Sequence, residues 1–489
     1  MRRPWVAALL AVGAGCAHAP PPPRAPPLTG WRTLRTAHVR LRTDLPSADA
    51  RTTIERLEIL RAALRTAWPG QADIPGTTEA IVLRDPDELR TFTRWSGVAT
   101  ITGRGPLLIT AGSPFEFGDL SPDLALLGHE KAHDLDHRQT PGAPRWFDEG
   151  LASYLESAEL LDAGRVRFGA MGRADLEQAR AHRLIPLDTV VGTRWETLDA
   201  PAALALYRSA RLWIQLLRAE EPLRRRALAD AVAAGGPWRV AWAEARRGLD
   251  LARLQEALRR WLSAGAFPTE LHRFAAPANS IDEQPLAPWG VHVALAELWS
   301  AGISDADPTE RAARVRTELA AAAAASPEEA LPRVLLADLE TDPDRRRALA
   351  ERLRAAYPRS PDAAVLLARV LRDQGGPLDG RRATMLDAML LAPDDADALT
   401  AHALEEARAG DFNRAFAALR RAETAAPWSP TVHVARANIL ASAGECQDAS
   451  DAVQRGLDVL ADAPPPEEVT ALVRERARLE ASCRPRLRP

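Results

Sequence analysis

The chain has 489 residues, 46% of them hydrophobic and 26% charged, which is enough to build two or three cores. Its 63 Lys and Arg nearly balance 66 Asp and Glu, and a net charge of -3 argues against nucleic acid or an acidic membrane surface as a partner. Lys131 is the only lysine, so basic charge is almost all arginine, a mark of genome composition and not of a guanidinium-based function.

Arg2-Arg3 precede an apolar run from Trp5 to Val12 and then Gly13-Ala14-Gly15-Cys16, the pattern of a bacterial export signal. That run is too short to span a bilayer. A cysteine directly after small residues resembles a lipobox; the resemblance implies that residues 1–15 are removed and that lipidated Cys16 anchors the chain in a membrane of the cell envelope, facing the periplasm or in the outer membrane. Residues 16–30 are proline-rich and read as a stiff extended tether.

From Ala37 to Thr43 the residues alternate as in a half-buried strand, and Thr52 to Trp68 has a helical apolar period. Thr78–Leu83 reads as a second strand, followed by a helix from Pro86 to about Trp95. Gly105–Gly112 is an apolar run bounded by glycine, either a core strand or an edge strand to which extended substrate adds. Ser121-Pro122 supplies an N-cap and a first-turn proline for the next helix. The order predicts a small sheet with helices packed against it.

That next helix carries His129-Glu130-Lys131-Ala132-His133. Residues four apart share a helix face, so both imidazoles can point at one tetrahedral metal ion. Glu130 is one step round the helix and suits a general base acting on a water held at the metal. A catalytic zinc takes three protein ligands, and Glu149 in Trp146-Phe147-Asp148-Glu149-Gly150 is the best candidate for the third. His137 is the alternative, although three histidines along one straight helix drift along its axis.

These two segments resemble the gluzincin peptidases, whose pattern is an HExxH helix followed by a Trp-x-x-Glu-Gly-x-Ala helix. Here the second element reads Trp146-Phe147-Asp148-Glu149-Gly150-Leu151-Ala152. The resemblance implies an α+β zincin-like fold over residues 31–272, Zn2+ held by His129, His133 and Glu149, and Glu130 as catalytic base. Ser153 stands where thermolysin-like members keep an aspartate behind a zinc-bound histidine, which leaves the support of His129 and His133 open. Tyr207 falls where similar enzymes place a hydroxyl that donates to the oxyanion; a core tyrosine is the other reading. The pattern then stays helical to Trp261-Leu262.

Residues 273–287, rich in Ala, Pro and Asn, read as a linker. Beyond it Gly410 and Gly444, Ala415 and Ala449, Ala388 and Ala422, Pro393 and Pro427, and Ser326-Pro327 and Ser360-Pro361 all repeat at 34 residues. Gly410-Asp411-Phe412 with Ala415, Ala422 and Pro427 resembles the second-helix pattern of tetratricopeptide (TPR) repeats. Residues 288–489 are therefore expected to form an all-α TPR-type solenoid of about five units, closed by a polar capping helix over 467–482, unless this is an unrelated Ala-rich bundle. Such a stack offers a concave surface to a protein partner. Cys446 and Cys483 are either a disulfide pair or two separate thiols.

Two functions follow as expectations. One is a membrane-tethered zinc peptidase acting on a peptide or protein substrate. The other is a non-catalytic scaffold lipoprotein that retains a zincin-like binding domain.

Overall fold

The computed structural model describes residues 26–67, 76–93, 97–102, 105–112, 122–139, 143–181, 184–193, 200–221, 238–278, 280–301, 307–374 and 378–459, with Arg474 and Arg478. The export signal, Cys16, Cys483 and nearly all of the expected capping helix lie outside them. Among the described residues no helix is long and apolar enough to cross a membrane.

In chain order the N-terminal part gives β1 (Arg32–Arg35), β2 (Val39–Thr43), α1 (Ser47–Ala67), β3 (Thr78–Leu83), α2 (Pro86–Leu89), β4 (Gly97–Thr102), β5 (Gly105–Ala111), α3 (Pro122–Gln139), α4 (Arg145–Leu155), β6 (Glu159–Asp162), β7 (Arg165–Phe168), α5 (Arg173–Ala181), α6 (Leu187–Gly192), α7 (Ala200–Glu220), α8 (Trp238–Arg246), α9 (Leu251–Ala264), β8 (Glu270–Arg273) and β9 (Asp282–Pro285). Six strands form one sheet in the order β4-β5-β3-β2-β1-β9. The central strands β2, β3 and β5 are parallel, and β4, β1 and β9 each pair antiparallel. β6, β7 and β8 make a second, antiparallel sheet.

Alternation along the strands decides what each face of the six-stranded sheet covers. Ala80 and Val82 of β3 turn toward Ile54 and Leu57 of α1, and Leu127 of α3 packs against that same core. Ile81 and Leu83 turn the other way, into a core with Leu107, Ile109 and Leu89. That second face is closed by α10 (Pro288–Ser300), through Val291, Ala294, Leu295 and Leu298.

Two expectations are corrected here, and one open alternative is resolved. Residues 273–287 are not a linker, because β9 hydrogen-bonds along β1 from Arg32↔Pro285 to Arg35↔Asp282, with Arg32 and Glu283 2.8 Å apart. Asp282-Glu283-Gln284-Pro285 has no apolar alternation, since an edge strand is hydrated and tolerates proline. The helix expected to reach Trp95 ends at Leu89. Of the two readings of Gly105–Gly112 the core strand holds, since β5 is flanked by β3 and by β4 and β4 ends the sheet.

Beyond β9 the described residues form a stack of five helix pairs. They are α10 with α11 (Pro308–Ala325), α12 (Leu331–Asp338) with α13 (Pro343–Ala356), α14 (Pro361–Gln374) with α15 (Leu378–Leu391), α16 (Ala396–Arg408) with α17 (Phe412–Ala425), and α18 (Pro430–Ala443) with α19 (Cys446–Val459). The 34-residue period has a physical basis at each position. Gly410 and Gly444 turn the chain between paired helices at φ +84° and +90°, a region that side chains resist. Ala388, Ala415, Ala422 and Ala449 are all 0% exposed at the helix contacts. Leu399, Leu419, Val432 and Ile439 join α16, α17 and α18 in one core, so each pair buries its apolar face on the next. Cys446 is disulfide-bonded.

Candidate metal centre

Helix α3 lies against β4 and β5 and packs on α4, which in turn packs along α7. The α4–α7 approach depends on Gly150: a Cβ there would stand 2.9 Å from the Ala210 carbonyl carbon and from Ile214 Cγ1. This close crossing sets Glu149, the preceding residue, between the histidines of α3 and the hydroxyl of Tyr207.

His129 Nε2 and His133 Nε2 are 2.9 Å apart, and Glu149 Oε2 is 3.4 Å from the first and 3.6 Å from the second. A tetrahedral ion with bonds of about 2.0–2.1 Å separates its ligand atoms by about 3.3 Å. Two edges of the triangle lie near that spacing and the Nε2–Nε2 edge is shorter, so the three atoms form a group that could hold one metal ion, with two nitrogen donors and one oxygen donor. The three side chains are 13%, 12% and 10% exposed, so water competes weakly for them.

Behind each imidazole stands a carboxylate from α4. His133 Nδ1 pairs with Asp148 Oδ1 at 2.8 Å, and His129 Nδ1 lies 2.7 Å from Glu156 Oε1. The Asp148 bond fixes the His133 ring and leaves its Nε2 to face the ion, whereas the Glu156 contact is an ion pair without hydrogen-bond alignment. Burial alone would depress the His129 imidazolium, but the Glu156 charge and the contact with Glu149 outweigh it and hold its pKa up at about 10. His133 is also held well above the ordinary range, burial being outweighed by Asp148 and Glu149. Burial would raise the Glu149 carboxyl, yet its bonds to the two histidines hold it well below the usual range. Two imidazolium protons cannot both occupy a 2.9 Å Nε2–Nε2 gap, whereas one divalent cation satisfies both nitrogens and the carboxylate.

Tyr207 is buried and its hydroxyl donates to Glu149 Oε1 at 2.8 Å, while Arg145 donates to the same hydroxyl at 2.8 Å. Its proton is thus directed at Glu149 Oε1, so the hydroxyl and Arg145 together orient that carboxylate. Burial and the Glu149 charge push its pKa up, so it stays protonated. Glu130 is half-buried on α3, directly after His129. The His137 side chain lies outside the described set.

A second polar cluster fixes α3 to the sheet. Lys131, fully buried, donates to Asp134 Oδ2 at 2.6 Å and to the Thr78 hydroxyl, which itself donates to Asp134 Oδ2 at 2.6 Å. Arg138 Nε adds a bond to Asp134 Oδ1 at 3.0 Å. Asp148, Glu156, Arg145 and this cluster were not singled out from sequence. Glu156 had one available signal: it lies two helical turns beyond Glu149 and so shares its face.

No protein-family model matches the chain, and no curated protein matches it. Among solved structures the chain is similar to TTC0263, a thermophilic TPR protein of Thermus thermophilus, at 19% identity over 40% of this chain and 98% of that one, with a TM-score of 0.28. It is also similar to yeast Tom70 at 14% identity over 76% of this chain and 84% of that one, with a TM-score of 0.30. At that depth of likeness neither structure assigns a family.

Proposed function

We propose that this chain is a zinc-dependent peptidase, tethered to a bacterial envelope membrane, whose helix pairs dock a protein partner or substrate. The observation that carries this reading is the convergence of His129 Nε2, His133 Nε2 and Glu149 Oε2 in one group that could hold a metal ion, with a carboxylate behind each imidazole. When bound, zinc polarises a carbonyl and lowers the pKa of water to about 7. Glu130 takes the proton of the attacking water and returns it to the leaving nitrogen. Arg145 and Tyr207 hold Glu149 in place. β4, which ends the sheet beside α3, is the strand that an extended peptide would join.

A scaffold that retains a metal-binding domain is the second reading. It is supported by the Tyr207 hydroxyl donating to Glu149. Metal analysis and a Glu130→Gln variant separate the two. The peptidase reading requires one zinc per chain and chelator-sensitive cleavage of a peptide library, abolished in Glu130→Gln with zinc retained. Equal cleavage by wild type and variant would sink it.

A further inference from the structure

The two histidines receive their carboxylates from different places on α4. Asp148, which supports His133, sits beside Glu149 in the first half of the helix. Glu156, which supports His129, is the residue that caps its C-terminal end. Position 153, one turn beyond Glu149 on the same face, holds a serine and has no carboxylate to offer.

Gly128 marks where α3 comes close to the end of α4. A Cβ on it would lie 3.5 Å from the Leu155 carbonyl oxygen and 3.8 Å from Glu156 Cα, so α3 meets the end of α4 almost backbone to backbone immediately before His129. At that separation a side chain leaving the end of α4 needs only the length of a glutamate to meet Nδ1, and Oε1 stands 2.7 Å away. Ser153 is buried while the Glu156 side chain is 32% exposed, so the supporting carboxylate enters from the rim of the site and not from within the helix contact.

We infer that Glu156 is the positioning residue for His129, doing from the end of α4 what a carboxylate at position 153 would do from its middle. This rests on the metal-site reading above. Glu156 acts on the His129 ring as a charged neighbour 2.7 Å from Nδ1, close but not aligned as a hydrogen bond, and its carboxylate favours the ring orientation that leaves Nε2 to face the ion.

The test is zinc affinity of the full chain, measured by competition with a chromophoric chelator and therefore independent of any catalysis. Glu156→Ala is expected to weaken zinc binding about 10–100-fold. Glu156→Gln, which keeps the size and an oxygen acceptor, should lose less. Ser153→Asp introduced into Glu156→Ala should recover most of the loss, a result that a merely space-filling Glu156 would not produce. Unchanged affinity in Glu156→Ala, or a double variant as weak as the single, overturns the role of Glu156 alone. Wild-type protein that takes up no zinc overturns the metal reading together with it.

Discussion

The Arg138 guanidinium lies over the Trp428 ring, its Cζ 4.9 Å from the centroid, and so joins the last turn of α3 to the turn between α17 and α18. The same side chain donates to Asp134 and, at 2.9 Å, to the Thr77 carbonyl. A repeat far along the stack therefore touches the helix that carries both histidines. Trp428→Ala is expected to remove about 0.5–2 kcal/mol, measured as a shift in the urea midpoint. Arg138→Ala should cost more, because it also strips Asp134 of a partner. Equal midpoints for wild type and both variants would show that the stacking holds nothing together.

The contrast between two glycines tests how the helices reach the site. Gly150→Ala forces a methyl to within 3.0 Å of the Ala210 carbonyl oxygen and should cost about 1–3 kcal/mol while weakening zinc binding, since Glu149 is carried on the displaced turn. Gly128→Ala meets only ordinary contact at 3.5 Å and should leave both nearly unchanged. Thermal melts and chelator competition on the pair decide the matter; the reverse order of effects would contradict the described crossing.

Acid sensitivity of the helix pairs should follow from two histidines. Burial depresses the pKa of His433, whose Nε2 donates to the Pro427 carbonyl at 2.9 Å, and burial also depresses that of His402. A histidine whose folded pKa lies below its unfolded value binds fewer protons in the native state. Stability is then complete above about pH 6.5 and declines as pH falls through that value toward the folded pKa. The melting midpoint of the wild type should drop more between pH 7.5 and 5 than that of His433→Gln, and parallel pH profiles would refute the assignment.

Lys131 and Asp134 form a buried pair whose removal should be asymmetric. Lys131→Met leaves Asp134 buried with one cation fewer and is expected to cost about 3–5 kcal/mol by chemical denaturation. The double variant Lys131→Met with Asp134→Asn should recover part of that loss. Burial would raise the Asp134 carboxyl, but Lys131 and Arg138 outweigh it and hold its pKa well down, so its contribution is present above about pH 4 and fades as acid approaches the folded value.

Much of the site is readable because it is local. The four-residue step from His129 to His133 is helix geometry, and Glu149 follows on the very next helix, so the structure brings together the three residues that the motifs point to. Asp148 and Glu156 are not readable as supports, because their roles depend on how closely α3 and α4 pack, a long-range property that neither helix's own pattern carries. The repeat period is legible for the same reason as the motif: Gly410, Gly444 and the buried alanines recur at fixed spacing. β9 is hidden, since a polar edge strand has no periodic signature, and α10 reads as the first repeat although it also closes the sheet.

The solitary lysine has a practical consequence. Lys131 is 0% exposed, so the folded chain offers no lysine amine to succinimidyl esters, aldehyde fixatives or lysine-directed cross-linkers. Reaction at that one amine becomes a reporter of α3 separating from the sheet, silent in the native protein and switched on by unfolding.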